Sequence, residues 1–448
     1  MKVLKFGGTS VGTPESLASV RNIIERETEP CVVTVSALGG LTDRLIKTAA
    51  LAASGCGEYL REYEEICARH RRVCEAVVPS GYMGDCWGHV KDLLDELGTI
   101  FKAISLLGEL TKRSHDLVVS YGERMSSIIV SSMFPGAALV DALEVIRTRE
   151  HFGKSVLDAE ETSRRIRERF ALLKDRPVTV IGGFISRDAD GHITNLGRGG
   201  SDYTAAILAA ELGARVLEIW TDVDGFMTAD PRKVRDARVI DRLSFVEAME
   251  LCNFGAKVVY PPTIYPVFNR NIPIIIKNTF NPSVPGTLIG DAGARGPETW
   301  TPVGVSAIAD TRLLSLEGAG AGMYERMVNT LTRQGIELLM PDGRCSCGLR
   351  GADAERALDL LREEFAAELV DSTLGGLRLS DPDSLVALVG NGDAGAPEPA
   401  DLAEALNEQG VPVVQGPLLA TSGTLACMVP QPALDDALNI IHSKFITL

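Results

Sequence analysis

The chain has little of what several protein classes require. It contains no run of about 20 apolar residues, and its amino end lacks the charged segment and apolar stretch of a secretory leader, so no membrane partner is expected. Positive charge is scarce: 45 Lys and Arg stand against 60 Asp and Glu, giving a net charge of -15. That balance argues against nucleic acid as a partner and confines any phosphate chemistry to a local cleft. The nine cysteines form no C-x-x-C pair; Cys67 and Cys74 are seven apart on a helical stretch, and Cys345 and Cys347 alternate as strand residues do. Buried thiols in a reducing cytosol follow, so a soluble cytoplasmic protein is expected. The usual nucleotide fingerprints, G-x-x-x-x-G-K-[ST] and G-x-G-x-x-G, are both missing.

What is present is globular: 448 residues, 45% hydrophobic and 23% charged, enough for about three domains. Short apolar strands at 3–6, 31–36, 138–141, 178–182, 216–220 and 273–276 alternate with helical patterns such as 14–27, 201–212 and 244–251. β-Branched strands separated by helices predict an α/β fold, a mostly parallel sheet covered by helices on both sides. Between about 43 and 132 the pattern turns helical, with apolar residues at three- and four-residue spacing (Leu106, Leu107, Leu110; Leu117, Val118). Residues 281–302 are rich in Pro and Gly, a turn-rich composition that suits a linker and sets a domain boundary near 295.

Ligands of such sheets sit beyond the carboxyl ends of the strands. Gly7-Gly8, Ser36 to Gly40, Gly182-Gly183 and Thr221-Asp222 all fall there. The first of these follows a strand and precedes a helix with Thr13 as N-cap, Pro14 at its first position and Glu15 in its first turn. Two glycines, the Lys5 ammonium and a helix N-terminus together make a phosphate cradle, although a Gly-Gly strand end alone is more often a tight turn. Arg198, amid glycines, can grip a carboxylate as a fork, and Glu123 can accept from an ammonium.

Beyond residue 295 lies a weak repeat. A strand at 314–318, a helix reaching Gln334-Gly335, a strand pair and a helix at 352–365 recur as 386–390, a helix reaching Gln409-Gly410, a strand pair and a helix at 432–444, the two Gln-Gly pairs lying 75 residues apart. Each copy reads βαββα, a split βαβ arrangement suited to side-by-side association with a ligand between copies.

Five motifs, Lys5-Phe6-Gly7-Gly8-Thr9-Ser10, Ser120-Tyr121-Gly122-Glu123, Asn195 to Thr204 (NLGRGGSDYT), Trp220 to Gly225 with Asp230-Pro231-Arg232, and Phe254-Gly255-Ala256-Lys257, occur in the order found in aspartate kinases. Nearly the whole chain resembles that family, which joins an amino acid kinase fold to two ferredoxin-like ACT domains. The resemblance implies a catalytic domain at 1–295, a first ACT domain at 296–382 and a second at 383–448, with the strand near 303–309 assignable to the second. It implies ATP-dependent phosphorylation of the β-carboxylate of L-aspartate to 4-phospho-L-aspartate, the first step toward lysine, threonine, methionine and isoleucine. Lys5 and Asp202 would be catalytic, and Ser36, Thr42, Glu123, Phe184, Arg198 and Ser201 would hold aspartate. Lys5, Gly7, Gly8, Ser10, Thr221, Asp222, Met227, Arg232 and Lys257 would hold ATP. Mg²⁺ would be held mainly by the ATP phosphates, with no protein metal site. The acceptor carboxylate is ionised at neutral pH, so no general base is needed and six histidines suffice.

The sequence departs from the family pattern at Met227, where many relatives have tyrosine, and at Tyr260, where Lys-Val-Leu-His-Pro is usual. The stretch from Met340 to Cys347 is shorter than in lysine-inhibited relatives, making lysine a poor expectation as effector. An amino-acid effector of the ACT pair would instead meet Gly320, Ala321, Gly322 and Met323 on one side and Pro341, Asp342 and Gly343 on the other. A homodimer or larger homo-oligomer through the ACT domains is expected. A monofunctional enzyme is expected too, without the homoserine dehydrogenase fusion of some relatives. Two alternatives stay open: another amino acid kinase, and a catalytically silent ACT-based sensor.

Overall fold

A computed structural model describes residues 1–151, 154–290, 300–320, 322–341, 343, 345–391, 395–421 and 423–446. The chain starts with β1 (Lys2–Phe6), α1 (Pro14–Glu25), β2 (Cys31–Val35), α2 (Leu41–Ala53), α3 (Glu58–Val77), α4 (Ser80–Leu107), α5 (Lys112–Ser132) and β3 (Ala138–Val140). Next come α6 (Ala142–Val145), β4 (Thr148–His151), β5 (Lys154–Leu157), α7 (Ala159–Ala171), β6 (Val178–Gly182), β7 (Ile185–Arg187), β8 (Ile193–Asn195) and α8 (Gly200–Glu211). They are followed by β9 (Leu217–Thr221), β10 (Arg242–Leu243), α9 (Phe245–Asn253), α10 (Tyr265–Phe268), β11 (Ile274–Asn278) and β12 (Thr287–Ile289). The residues fall into two compact units, one of Met1–Phe226, Asp241–Phe245 and Val258–Gly293, the other of Met227–Ile240, Val246–Lys257 and Ala294–Leu448. The units therefore do not divide at one point of the chain, and the boundary expected at 295 lies outside the described residues.

The first unit is built on an eight-stranded sheet in the order β10-β12-β11-β9-β1-β2-β6-β3, parallel throughout except for the β11–β12 pair. All five residues of β2, Cys-Val-Val-Thr-Val, are buried, because a parallel sheet covered on both faces leaves no strand a wet side. β12 lies inside the stretch expected to be a linker. Its Pro-Gly approach is a hairpin turn, with Gly286 at φ +83° so close to β11 that a Cβ would stand 2.0 Å from the Ile276 carbonyl oxygen. Turn residues around a three-residue strand look like a linker in sequence.

The helical excursion is four antiparallel-length helices, α2 to α5, around one core. The buried stripe of α4 is Cys86, Val90, Leu93, Leu94, Leu97, Phe101 and Ile104. Leu106 and Leu107, whose spacing suggested burial, are instead exposed in the last turn, where Gly108 closes the helix in the left-handed conformation. α5 comes close to the loop after β2: a Cβ on Gly122 would lie 2.7 Å from the Ala37 Cβ.

In the second unit the elements are β13 (Thr301–Glu317), α11 (Met323–Arg333), β14 (Ser346–Arg350), α12 (Gly351–Glu364), α13 (Ala366–Val370), β15 (Gly376–Leu379), β16 (Asp383–Asn391), α14 (Pro399–Glu408), β17 (Gln415–Thr421), β18 (Thr424–Pro430) and α15 (Leu434–Phe445). They form one antiparallel sheet, β14-β13-β16-β18-β17, with β15 also on β13. The 17-residue β13 serves both repeats: residues 301–311 pair with β16, and after an irregularity at Ile308–Thr311 the strand pairs with β14 and β15. The first of the paired strands expected in the first repeat is reduced to a single bridge, Leu339 to Gly348. Ala321 and Asp342 of the expected effector site lie outside the described residues.

Gly122→Ala is expected to destabilise the protein by about 1–3 kcal/mol, since α5 must retreat from Ala37 to admit the methyl group. Urea unfolding monitored by circular dichroism checks this; an unchanged midpoint would contradict the close approach.

Candidate active site

The end of β1 is fixed from both sides. The Gly7 N–H donates to the Trp220 carbonyl at 3.2 Å, and the Val11 N–H donates to the Gly7 carbonyl at 3.2 Å. α1 then begins at a capping box: the Ser16 N–H donates to the Thr13 hydroxyl and the Thr13 N–H to the Ser16 hydroxyl, with Pro14 in the first turn. Three backbones meet here. A Cβ on Gly39 would lie 2.9 Å from the Gly8 carbonyl oxygen, and one on Gly12 would lie 3.1 Å from it. Arg69 of α3 locks the crossing, donating to the carbonyls of Gly12 at 2.9 Å and Gly39 at 2.7 Å. Sequence reading missed Arg69, because nothing local marks one arginine among several on a polar helix as reaching back to residue 12.

A cavity of about 270 Å³ opens beside this crossing, lined by Lys5, Ser36, Thr42, Glu123, Phe184, Gly197, Gly199, Gly200, Ser201 and Asp202. All the residues expected to be catalytic or to hold the acceptor are on its wall except Arg198. Lys5 and Asp202 form an ion pair of 2.6 Å across it, with the Lys5 ammonium about where a Cβ on Gly7 would begin to crowd it, at 3.4 Å. Asp202 and Ser201 occupy the first turn of α8, which follows Gly199 at φ +70° without a side-chain cap; the Gly200 N–H donates to the Gly197 carbonyl at 3.0 Å, and the turn lines the cavity with the positive end of the helix dipole.

Phe184 closes another side in a left-handed conformation, φ 66°. That backbone is costly for a side chain bearing a Cβ, and it is held by bonds on both sides: its N–H donates to the Thr204 hydroxyl, and its carbonyl accepts from Leu196 N–H. A Cβ on Gly183 would lie 2.7 Å from Ser201, and one on Gly200 would lie 2.8 Å from the Phe184 ring, so both glycines are required for this packing.

Glu123 is the most unusual group. It sits on α5, only 4% exposed, with Oε2 lacking any hydrogen-bond partner. Burial pushes its carboxyl up to about 8, against the opposing pull of the Ala37 backbone N–H and of Lys5. An unsatisfied carboxylate oxygen facing a cavity is a site prepared for a cationic or N–H-bearing ligand.

Arg198 lies between two cavity-lining glycines, but its side chain is exposed and its guanidinium rests 5.7 Å from the centre of the Tyr260 ring. Of the nucleotide-side residues, Ser10 is buried with its hydroxyl donating to the Trp220 carbonyl and 2.7 Å from the Thr279 hydroxyl. Thr221 ends β9 and its hydroxyl donates to Asp222 at 3.2 Å. Met227, Arg232 and Lys257 belong to the second unit. A larger cavity of about 510 Å³ between α4, α5 and β3 contains none of the expected site residues and is mostly apolar, so the smaller cavity is the one with chemistry.

Among the described residues one group of three could ligate a metal, Asp188, Asp190 and His192 at the β7–β8 turn, away from the wall of the 270 Å³ cavity. Asp188 there accepts the His192 N–H at 2.8 Å, an ordinary turn bond.

A mostly parallel sheet with a glycine crossing, a lysine and the first turn of a helix gathered around a polar cavity defines an α/β protein with a cleft beyond the carboxyl ends of its strands. The chain belongs to the amino acid kinase family, whose model matches residues 1–278. It is 31% identical to the bifunctional aspartokinase/homoserine dehydrogenase of Haemophilus influenzae over 99% of this chain and 56% of that one. It is 28% identical to aspartokinase 2 of Arabidopsis thaliana, over 99% and 84%. The chain spans about half the length of the bifunctional relatives it matches. Among solved structures it superposes on E. coli aspartokinase III in complex with aspartate and ADP with a TM-score of 0.83, 26% identity and full coverage of both chains. The aspartate kinase of Clostridium acetobutylicum gives 0.81 and 25%, over 99% and 100%. The architecture is thus the amino acid kinase fold followed by paired ACT-type units.

The raised Glu123 carboxyl has a stability consequence. Between its unfolded value near 4.5 and about 8 the native state holds a proton that the unfolded state has lost, so stability falls as pH rises through that window. Glu123→Gln keeps the neutral shape. Its melting temperature relative to the parent protein is expected to rise between pH 5 and pH 8.5; a constant difference in scanning calorimetry would show that burial does not perturb this group.

Proposed function

We propose that the protein is an aspartate kinase, transferring the γ-phosphoryl group of ATP to the β-carboxylate of L-aspartate to give 4-phospho-L-aspartate and ADP. The observation that carries this reading is the 270 Å³ cavity, in which one wall offers Lys5 and the α8 N-terminus to phosphate and the other offers the unpartnered Glu123 oxygen to an ammonium. Aspartate and ADP are bound by the E. coli relative, which supports the same substrates here.

On this reading the substrate ammonium supplies the positive charge that Glu123 lacks and draws its carboxyl down into the ionised range. Ser36, Thr42 and Ser201 offer hydroxyls to the carboxylates, and Phe184 limits the length of the acceptor. Arg198 leaves Tyr260 to clasp the α-carboxylate with its planar fork. One oxygen of the β-carboxylate, already ionised near neutral pH, forms a bond to the γ-phosphorus as the bond to the bridging oxygen of ADP breaks, and no proton has to move. Lys5 exchanges Asp202 for the transferring group, and the positive end of α8 faces the charge that builds on its oxygens. Thr221 and Asp222 serve the nucleotide at the end of β9, and the resemblance adds Met227, Arg232 and Lys257.

The carboxylates of the cavity, Asp202 and Glu123, are too few to cage a divalent ion. Asp202 is the carboxylate that would stand near a Mg²⁺ arriving with the nucleotide, Glu123 being given to the substrate ammonium. When bound, that ion neutralises phosphate charge. The ACT-type pair is read as the seat of an amino-acid effector and of association between copies of the chain; the E. coli relative binds lysine as well as aspartate, which supports an amino-acid effector here. The free cysteines suit a cytoplasmic enzyme.

A coupled assay of ADP release with aspartate, glutamate and acetylglutamate tests the acceptor: turnover with aspartate alone is expected, and turnover with acetylglutamate, which has no ammonium for Glu123, would overturn the assignment. Lys5→Ala should lower kcat on the order of 10²–10³ with the fold intact by circular dichroism, by analogy with loss of one oxyanion donor; near-normal kcat would remove Lys5 from the mechanism. Arg198→Lys should raise the aspartate KM and spare ATP binding, because the charge survives but the fork does not. An equal rise in the ATP dissociation constant would place Arg198 elsewhere.

A further inference from the structure

The turn Asp230-Pro231-Arg232 is held by the last helix of the chain. α15 presents three polar side chains at helical spacing, Asp435, Asn439 and His442, and each meets the segment 227–240 of the same unit. Asp435 pairs with the Lys233 ammonium. Asn439 donates from Nδ2 to the Lys233 carbonyl at 3.0 Å. His442 Nε2 lies 2.9 Å from the Thr228 hydroxyl, both residues buried. Beneath these contacts Ala229 and Val234 share a core with Leu434, Ala437, Leu438 and Ile441.

Thr228 Oγ1 accepts the Arg238 N–H at 3.0 Å and keeps a donor proton and a second lone pair, either of which can complete the 2.9 Å hydrogen bond with His442 Nε2. Burial and nearby Arg238 hold that ring below the ordinary histidine range, with Asp236 opposing. The Thr228 backbone is also committed: its N–H donates to Arg238 at 2.9 Å and its carbonyl accepts from Val305 of β13 at 2.7 Å. Both ends of the turn are therefore bracketed, at Thr228 and at Lys233. Within it the Asp230 carboxylate takes both the Arg232 N–H and a two-pronged bond from its guanidinium, whose outer face stays exposed.

We propose that Asn439 and His442 are positioning residues for nucleotide use, setting through Lys233 and Thr228 the conformation of the turn that carries Arg232. This rests on the reading of Arg232 as a nucleotide residue. No acceptor residue lies on the segment, so the effect belongs to ATP alone. It also makes the second ACT-type unit the direct support of that turn, so that a change in α15 reaches ATP use without passing through the acceptor cavity.

The test is steady-state kinetics of the full chain with both substrates varied. His442→Leu and, separately, Asn439→Ala at an exposed position are expected to raise the ATP KM about three- to tenfold, the loss of one or two hydrogen bonds, with kcat and the aspartate KM within twofold. His442→Gln, which restores a hydrogen-bonding group, should recover part of the loss. If both variants lower the melting temperature and kcat while leaving the ATP KM unchanged, α15 is merely structural and the proposal falls. Arg232→Ala separates the two readings. An ATP KM that rises in Arg232→Ala but not in the α15 variants defeats the proposal alone, and one that stays constant in Arg232→Ala defeats the nucleotide reading of the turn and the proposal with it.

Discussion

The crossing of three backbones at Gly8, Gly12 and Gly39 is the constraint from which the site follows. A Cβ on Gly39 would stand 2.9 Å from the Gly8 carbonyl oxygen and one on Gly12 3.1 Å from it, so the loops after β1 and β2 lie this close because Gly39 is glycine, with little room to spare at Gly12. That contact sets the height at which Lys5 emerges and the gap into which α5 brings Glu123. Arg69 holds it by two carbonyl oxygens. The helical excursion is thus more than a cover for the sheet: α3 ties the loops and α5 supplies a wall of the cavity.

The cavity itself is an arrangement of charges held away from comfort. Lys5 and Asp202 neutralise one another, while Glu123 is buried with one oxygen unpaired and its carboxyl raised to about 8. Phe184 stands in a left-handed backbone between Gly183 and the first turn of α8. The buried, half-unpaired Glu123 carboxyl and the left-handed Phe184 backbone each cost stability in isolation, and on the proposed function a substrate ammonium would relieve the first. Strain and unsatisfied charge concentrated in one cleft are what binding energy can later recover.

Much of this could be read in advance because it is local. Alternating strands and helices, the cap at Thr13 and the glycine loops at strand ends are patterns within a few dozen residues that the structure bears out, and the βαββα order holds in the second repeat while the first keeps one of its paired strands only as a bridge. The readings that went astray were decided by distant partners. Leu106 and Leu107 have the spacing of a buried face but are exposed in the last turn of α4, while Ile104 and Leu110 on either side of them reach the core. The turn-rich stretch before 290 hides β12, a strand too short to carry an alternation. The resting contact of Arg198 is a different matter, a neighbour that no reading of the sequence addressed: its guanidinium lies over the ring of a tyrosine 62 residues away in the sequence.

By itself the sequence determined the class of fold, the order of its motifs and the chemical types at the site, since hydrophobic period, turn residues and glycine positions act over short range. Tertiary structure alone decided which of those residues face one another. Only folding brings Lys5 within 2.6 Å of Asp202 across 197 positions, buries Glu123 far enough to change its charge, and sends Arg69 and His442 to loops that nothing near them in the chain announces. The physical reason is that a charge's behaviour and a hydrogen bond's existence depend on distance and on exclusion of water, and neither is a property of position along the chain.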